Sequence, residues 1–445
     1  MTTANPVKLR IRALAGPMIL ANLSVPLLGI VDTAILGHLS DSRYLSAVAI
    51  STSLLAFMYW GFGFLRMGTT GASAQAHNDK EGAGLLIKAL AFSWAIAALI
   101  LLGGNLLGHI GLSIMNADEV LHPLAQSYLS IRLYSAPAVL GTYVVVGWLI
   151  GQQQTRWPLA IAVASNILNI GLDYLFIIKW GYQSDGAAAA SAISEYCGFC
   201  LALWSVRMPL ARMLRLGIPQ TWSYGPSLKT LFSSNLQLFI RTAALLFSIA
   251  FFTAQSAALG QNQLAANAIL LQLMMISAYG LDGFAHAAEA LVGEAYKRRD
   301  PNILMAVCRA CTNYCAITAI AVSALLFLLK PLIINGMTDL PAVNGLLNEY
   351  YFWLVWLPLL CAPSYLLDGI YIGALKTRAM QWCMIFCVCA VYLPLWAATR
   401  HWGNHGLWLT FSVFNLARGI SLATLFKQSV LKNLPARKSE VRYHP

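Results

Sequence analysis

The sequence predicts an all-α, polytopic membrane protein with twelve transmembrane helices in two pseudo-symmetric six-helix lobes. Three observations predict this fold: an apolar composition, apolar runs long enough to cross a bilayer, and a repeat between the two halves. Of the 445 residues, 58% are hydrophobic and only 10% are charged, whereas soluble domains carry about 25% charged residues. Water is therefore not the main solvent of this chain.

Apolar runs between charged or Gly/Pro-rich breaks define the predicted spans. About 20 apolar residues cross the hydrocarbon core of a bilayer. Residues 89–107 and 316–329 are apolar on every helical face, which is typical of helices surrounded by lipid or by other membrane helices. The predicted spans are residues 14–38, 45–76, 84–108, 122–150, 157–178, 186–208, 229–257, 264–296, 303–335, 346–375, 380–399 and 404–427.

Lysine and arginine residues collect in alternate loops. Of the 29 such residues, 21 lie in loops and tails on one side of the predicted spans, 4 on the other side and 4 within spans. Because short cytoplasmic loops are enriched in these residues, both termini are predicted to lie in the cytoplasm. The basic residues do not share one amphipathic face, so nucleic-acid binding is not expected.

The two halves of the chain resemble each other at an offset near 220 residues. Gly147–Arg156 aligns with Gly369–Arg378, and five of ten positions coincide. Leu45–Ile50 likewise aligns with Leu264–Ile269. Because each half has an even number of helices, six, the two halves have the same orientation in the membrane. They are therefore predicted to be parallel repeats around a central cavity, which suits alternating access. Duplicated channels and membrane enzymes also exist, so the repeat favours transport over those classes.

The repeat and a basic, proline-containing stretch between the halves give the predicted domain limits. They are an N-terminal lobe of helices 1–6 (residues 1–208), a cytoplasmic connector (209–228), a C-terminal lobe of helices 7–12 (229–428) and a cytoplasmic tail (429–445).

Two aspartates in the first lobe are the leading functional candidates. Asp32 and Asp173 each lie five or six residues from the outer end of their span, so they are predicted to share one depth. Asn166, Asn169 and Asp173 follow i, i+3, i+7 spacing, which places them on one stripe of a helix. Desolvation and a neighbouring carboxylate favour protonation, so these residues predict a proton-coupling site. The alternative is that they only hydrogen-bond helices together.

Two prolines interrupt the first span. Pro17 and Pro26 each lack the amide of an intrahelical hydrogen bond and clash with the preceding turn. A hinge below Asp32 would convert protonation into movement, although static kinks fit the sequence equally well.

Charged residues also lie within the spans of the second lobe. Asp282, His286 and Glu289 follow i, i+4, i+7 spacing in the eighth span, while Arg241 and Asp368 occupy the seventh and tenth. An Arg241–Asp368 ion pair would make both buried charges tolerable. The segment from His286 to Glu289 lacks the second histidine of a zinc-protease motif, so no metal site is predicted.

Three segments resemble the MATE (multidrug and toxic compound extrusion) family, specifically its DinF-type branch. They are Pro26–Leu39, Gly151–Arg156 and Asn166–Phe176. The resemblance covers nearly the whole chain. It implies two six-helix lobes and the export of cationic or amphipathic organic compounds by ion antiport, carried out by a monomer without a cofactor.

By motif position, the resemblance assigns a proton-site role to Asp32, Asn169 and Asp173. Asn166 completes the polar stripe, and the looser matches are Ser191 in the sixth span and Tyr128 in the fourth. Pro17 matches a bend in the first helix that the family associates with protonation. Arg241 stands where NorM-type members have a glutamate, which favours protons over sodium as the coupling ion.

The expected function is therefore proton-coupled export of small cationic or amphipathic molecules across the bacterial inner membrane. The alternatives are a sodium-coupled drug exporter and a lipid or lipid-linked oligosaccharide flippase of the same superfamily. An intramembrane enzyme would need a nucleophile with its base, or metal ligands, at one depth, and the sequence offers no such set.

Overall fold

The computed structural model describes residues 4–37, 42–114, 121–217, 222–338, 340–432 and 434. Within these ranges every regular element is a helix. The first six predicted spans correspond to α1 (Ala4–Gly37), α2 (Ser42–Gly61, continued by Phe64–Gln75), α3 (Asp79–Ile114), α4 (His122–Leu133 and Ala136–Gly151), α5 (Arg156–Asp173, continued by a π-helical turn, Tyr174–Lys179) and α6 (Gln183–Ser205).

A connector helix (Arg207–Leu216) separates these helices from the second set. The second set comprises α7 (Leu228–Ala258), α8 (Gln261–Arg298), α9 (Pro301–Leu328, followed by the short helix Lys330–Met337), α10 (Pro341–Gly373), α11 (Thr377–Phe386, the π-helical turn Cys387–Tyr392, Leu393–Thr399 and the 3₁₀ turn Arg400–Trp402) and α12 (Asn404–Phe426, continued by the π-helical turn Lys427–Leu431).

The described helices confirm the all-α membrane fold. Ten helical segments are long and apolar enough to cross a membrane, and α4 makes eleven when its two parts, bent by 49°, count as one span. The remaining predicted span, 14–38, overlaps α1 from residue 14 to residue 37, and its last residue lies outside the described residues. The α4 bend was not predicted from the sequence, although its cause is visible there. Pro137 lacks the amide that would bond the carbonyl of Leu133 and clashes with it, so the helix breaks at this turn.

Large apolar side chains on several helices point away from the protein. On α3, Leu102 is 86% exposed and Leu99 is 68% exposed, and on α9 Leu328 is 71% exposed. In water, such rows of exposed leucine would favour aggregation. These helix faces therefore indicate contact with lipid.

The chain forms two compact units. The N-unit runs from Pro17 to Asn235, and the C-unit combines the described residues up to Gly16 with those from Leu236 onward. The first helix therefore contributes to both units. The lobe limits at residues 208 and 229, which were inferred from the repeat, stay a prediction about the membrane-embedded halves.

The N-terminal arm, Ala4–Gly16, is the part of α1 that belongs to the C-unit. Ile11 is completely buried and Leu14 is 6% exposed. Arg10 forms an ion pair with Glu294 on α8, and the Arg12 guanidinium lies 5.3 Å from the ring centre of Tyr314 on α9. These two cationic contacts hold the arm on the C-unit.

Glycine pairs produce the same close helix contact in both units. In the N-unit, Cβ atoms on Gly147 and Gly151 of α4 would overlap backbone carbonyl oxygens of α2, those of Arg66 and Thr70. In the C-unit, Cβ atoms on Gly369 and Gly373 of α10 would overlap those of Ala285 and Glu289 on α8. Glycines spaced i, i+4 allow two helix backbones to approach closely. The repeated sequence segments therefore form the same close helix–helix contact in both units.

We expect Gly369→Ala to lower the stability of the protein by about 1–3 kcal/mol, because the added methyl group must displace backbone rather than a flexible side chain. Gly147→Ala should have a similar effect in the N-unit. The matched control is Gly345→Ala on the same helix as Gly369, where a Cβ would meet no atom within 4 Å. Thermal unfolding in detergent measures the difference. Equal unfolding temperatures for Gly345→Ala and Gly369→Ala would contradict the close contact.

Candidate functional site

The exposure pattern of α5 is inverted relative to a helix of a soluble protein. Asn169 and Asp173 are 2% and 1% exposed, while Ile167 is 66% exposed and Tyr174 is 55% exposed. The polar stripe therefore faces the protein and the apolar residues face outward, as expected of a helix in lipid. The structure places the two predicted coupling residues of this helix in the interior of the N-unit.

Two carboxamides of the stripe connect α5 to neighbouring helices. Asn166 Nδ2 donates to the carbonyl oxygen of Ser24 on α1 at 3.1 Å, and Asn169 Nδ2 lies 3.4 Å from Ser191 Oγ on α6. The structure thus brings Asn169 and Ser191 together, as the motif comparison suggested. The polar stripe joins the first, fifth and sixth helices of the N-unit.

Asp173 lies where the regular part of α5 ends. The following residues, Tyr174–Lys179, form a π-helical turn, and such turns are frequent at functional sites. The carboxyl group of Asp173 is shielded from solvent, and an ionised carboxylate is costly there unless it is paired or hydrogen-bonded. Gaining or losing a proton at this position therefore changes the local free energy substantially.

Asp32 lies on α1, five residues before that helix ends at Gly37. Its side chain lies outside the described residues. The predicted approach of Asp32 to Asp173 therefore stays a prediction.

The two prolines of the predicted hinge both lie inside α1, which is helical throughout. Pro26 is two residues beyond Ser24, whose carbonyl receives the Asn166 amide. The division between the two compact units falls between Gly16 and Pro17. A hinge role for Pro17 or Pro26 stays a prediction.

Tyr128 lies on α4 near an ion pair that the sequence analysis missed. Its hydroxyl is 3.5 Å from Thr52 Oγ1 on α2. One turn later, Arg132 donates from both terminal nitrogens to the two carboxylate oxygens of Glu195 on α6, at 2.7 and 2.8 Å. This bidentate geometry is the strongest form of an arginine–carboxylate pair. It holds α4 against α6 just before the 49° bend in α4.

A signal for the Arg132–Glu195 pair was present in the sequence. Each residue is a charge of opposite sign in a predicted span, and such charges are tolerated in membranes when they pair. Sequence spacing could not indicate the pairing, since the two residues are 63 positions apart.

The charged residues of the C-unit form a buried cluster. Arg241 on α7 forms the expected ion pair with Asp368 on α10. Arg418 on α12 donates to the same carboxylate oxygen at 2.8 Å and, through its other terminal nitrogen, to Asn415 Oδ1 at 3.0 Å. The two arginines are 5% and 2% exposed and the aspartate 7%. One carboxylate thus lies between two guanidinium groups, and Arg418 is a member that the sequence analysis did not assign.

The remaining C-unit candidates lie on α8. Asp282 is within electrostatic range of Arg241. His286 Nδ1 lies 3.2 Å from Glu289 Oε1, and both residues are buried. Glu289 also belongs to the close glycine contact, since its carbonyl oxygen lies against Gly373. These residues lie at a packed helix contact.

An all-helical membrane chain, built from two repeated units with carboxylates and amides buried inside them, has the architecture of a secondary transporter. The MatE family model matches residues 17–175 and, a second time, residues 238–396. The chain therefore belongs to the MatE family and is a membrane transporter rather than an enzyme. This confirms the family resemblance inferred from the sequence motifs.

Individual relatives agree with the family match. The chain is 37% identical to DNA damage-inducible protein F of Escherichia coli (strain K12), over 93% of this chain and 91% of that protein. The fold is similar to that of a variant of the Vibrio cholerae MATE transporter VcmN, with a TM-score of 0.86 at 19% identity, covering 98% and 99% of the two chains. It is also similar to an outward-facing multidrug resistance MATE transporter, with a TM-score of 0.85 at 21% identity and 97% coverage of each chain.

Proposed function

We propose that this protein is a proton-coupled antiporter that exports cationic or amphipathic organic compounds across a bacterial inner membrane by alternating access. The observation that carries the proposal is the burial of Asn169 and Asp173 on a helix whose apolar residues face outward. The proposed substrate class is supported by a solved transporter of the family that is described as a multidrug resistance transporter.

In the proposed mechanism, protons from the outer side neutralise Asp173 and Asp32. Neutralisation removes the cost of burying a charge, so the helices around the polar stripe can pack more tightly. Asn166 transmits this change to α1 through its hydrogen bond to Ser24. The first helix then bends at its prolines, and the compound is released.

Protons are proposed over sodium because of the charges around Asp368. This carboxylate is a buried acid of the C-unit, and both Arg241 and Arg418 form ion pairs with it. A sodium ion at Asp368 would have to displace a buried guanidinium and would be repelled by the other. By contrast, the polar stripe of the N-unit consists of two asparagines and one aspartate, Asn166, Asn169 and Asp173, none of which carries a positive charge.

Inverted membrane vesicles that contain the protein test the coupling ion directly. We expect an imposed pH gradient to drive uptake of a fluorescent organic cation, and an equal sodium gradient without a pH difference to leave uptake at the level of empty vesicles. Sodium-driven uptake that is insensitive to the pH gradient would overturn the proposal in favour of a sodium-coupled exporter.

A further inference from the structure

The connector helix, Arg207–Leu216, begins two residues after the membrane-spanning helix α6 ends at Ser205. This short distance places the connector helix at a membrane surface. The positive-inside distribution predicts that this surface is the cytoplasmic one.

The connector helix is amphipathic. On the side that faces the protein, Met213 is completely buried, as is Val206 just before the helix. Arg207, Arg212 and Arg215 are all exposed, and at 3.6 residues per turn Arg207 and Arg215 point about 80° apart around the helix axis. The exposed side therefore carries three guanidinium groups.

Apolar and aromatic groups accompany these arginines. Met208 is 71% exposed and Trp204, at the end of α6, is 51% exposed. The Arg207 guanidinium lies 4.3 Å from the ring centre of Trp204, and the Trp204 ring contacts that of Trp157 at 5.3 Å. Tryptophan is enriched at the headgroup level of membranes, and a basic helix with exposed apolar groups is suited to lie in the interface.

Contacts with α3 fix the position of this surface. Arg212 Nη1 forms an ion pair with Asp79 at 2.5 Å. Beyond the connector helix, Lys88 on α3 is buried and its ammonium group donates to the carbonyl oxygens of Tyr224 and Pro226, at 2.7 and 3.0 Å. The connector is therefore held against the N-unit on both sides of its undescribed residues 218–221.

The charges on the connector helix favour an anionic partner. Asp79 is paired with Arg212, and within the described part of the chain neither Arg207 nor Arg215 forms an ion pair. Arg207 donates one amino hydrogen to the carbonyl oxygen of Trp204 at 3.1 Å, which fixes the guanidinium beside the ring and leaves its other donors for a ligand. Guanidinium groups bind phosphate with two parallel hydrogen bonds.

We propose that the exposed face of the connector helix is a binding site for the headgroup of an anionic phospholipid, formed by Arg207 and Arg215 with Trp204 at its edge. The Arg207 guanidinium, fixed beside Trp204, donates to the phosphate, and Arg215, about 12 Å further along the helix, adds a second positive charge at the same surface. The acyl chains enter the bilayer beside Trp204 and Met208. This site is independent of the proton-coupling residues and of the transported compound.

Native mass spectrometry of the purified, detergent-solubilised protein tests the site with phosphatidylglycerol and phosphatidylcholine as probes. A basic residue near an anionic lipid surface contributes roughly five-fold to the affinity. We therefore expect Arg207→Gln/Arg215→Gln to weaken phosphatidylglycerol binding roughly 25-fold and to leave phosphatidylcholine binding unchanged. The single variant Arg215→Gln should lose roughly five-fold.

Arg400→Gln is the matched control, since Arg400 is an exposed arginine two residues before Trp402 on the opposite predicted side of the membrane. This variant should bind phosphatidylglycerol like the parent protein. The proposal would be overturned if the double variant kept its affinity, if Arg400→Gln lost as much, or if soluble glycerol phosphate displaced the lipid at equal concentration. An unchanged unfolding temperature of the single variant Arg215→Gln shows that its loss of binding is not a loss of fold.

Discussion

Asp173→Asn is expected to abolish efflux driven by a pH gradient. Asparagine keeps the size and the hydrogen-bonding capacity of the side chain but cannot gain or lose a proton. If Asp173 couples protonation to release, the variant remains in one state and transport in inverted vesicles falls to the level of empty vesicles. Binding of the compound at equilibrium should persist, because the loss affects coupling rather than recognition.

The control for this prediction is Asp185→Asn. Asp185 is an exposed acid in the first turn of α6, so it experiences no desolvation and should be dispensable for transport. Asp32→Asn is expected to give the same loss as Asp173→Asn and to remove drug resistance in cells without reducing expression. If Asp173→Asn transports at the parental rate, Asp173 is a structural residue and the coupling scheme fails.

Asp368→Asn is expected to destabilise the protein by about 3–5 kcal/mol, because it leaves two buried guanidinium groups without their shared counter-charge. The loss of stability should exceed that from removing an exposed ion pair. Water can solvate a surface charge that has lost its partner, but it cannot solvate a buried one.

Thermal unfolding in detergent, monitored by the retention of monodisperse protein, measures this effect. Glu349→Gln is the matched control on the same helix. Glu349 pairs with His405 at 3.4 Å, with both side chains 50% exposed, and exposed pairs contribute about 0–1 kcal/mol. An Asp368→Asn variant as stable as Glu349→Gln would show that the cluster does not depend on its carboxylate.

The helices and the repeat could be predicted because both depend on local properties of the sequence. Apolar runs mark spans wherever the solvent is lipid, and the Gly147–Arg156 and Gly369–Arg378 segments align without reference to the fold. The ends of the helices were less predictable. The arm of α1 starts at Ala4 rather than residue 14, since its polar and basic residues are stabilised by contacts with Glu294 and Tyr314, which are distant in sequence.

Of the candidate site, the sequence predicted the stripe of Asn166, Asn169 and Asp173 because helical periodicity places these residues on one face. The charge network was harder to predict. Glu195 and Arg418 were visible as charges within spans, but their partners lie on other helices, and helix order in the chain does not determine which faces meet. A search for opposite charges at equal depth would have suggested Arg132–Glu195.

Because α1 is divided between the two units, cutting the chain in the connector does not separate it into two complete units. A half-length fragment that stopped in the connector would carry the arm without Glu294 and Tyr314, which the arm contacts, and the complementary fragment would lack the arm. We therefore expect the two fragments to accumulate only when they are co-expressed, because each fragment then has the residues that it contacts. Subunits that exchange a segment depend on each other in the same way. The two halves of the sequence are similar, yet the C-unit takes its residues from both ends of the chain.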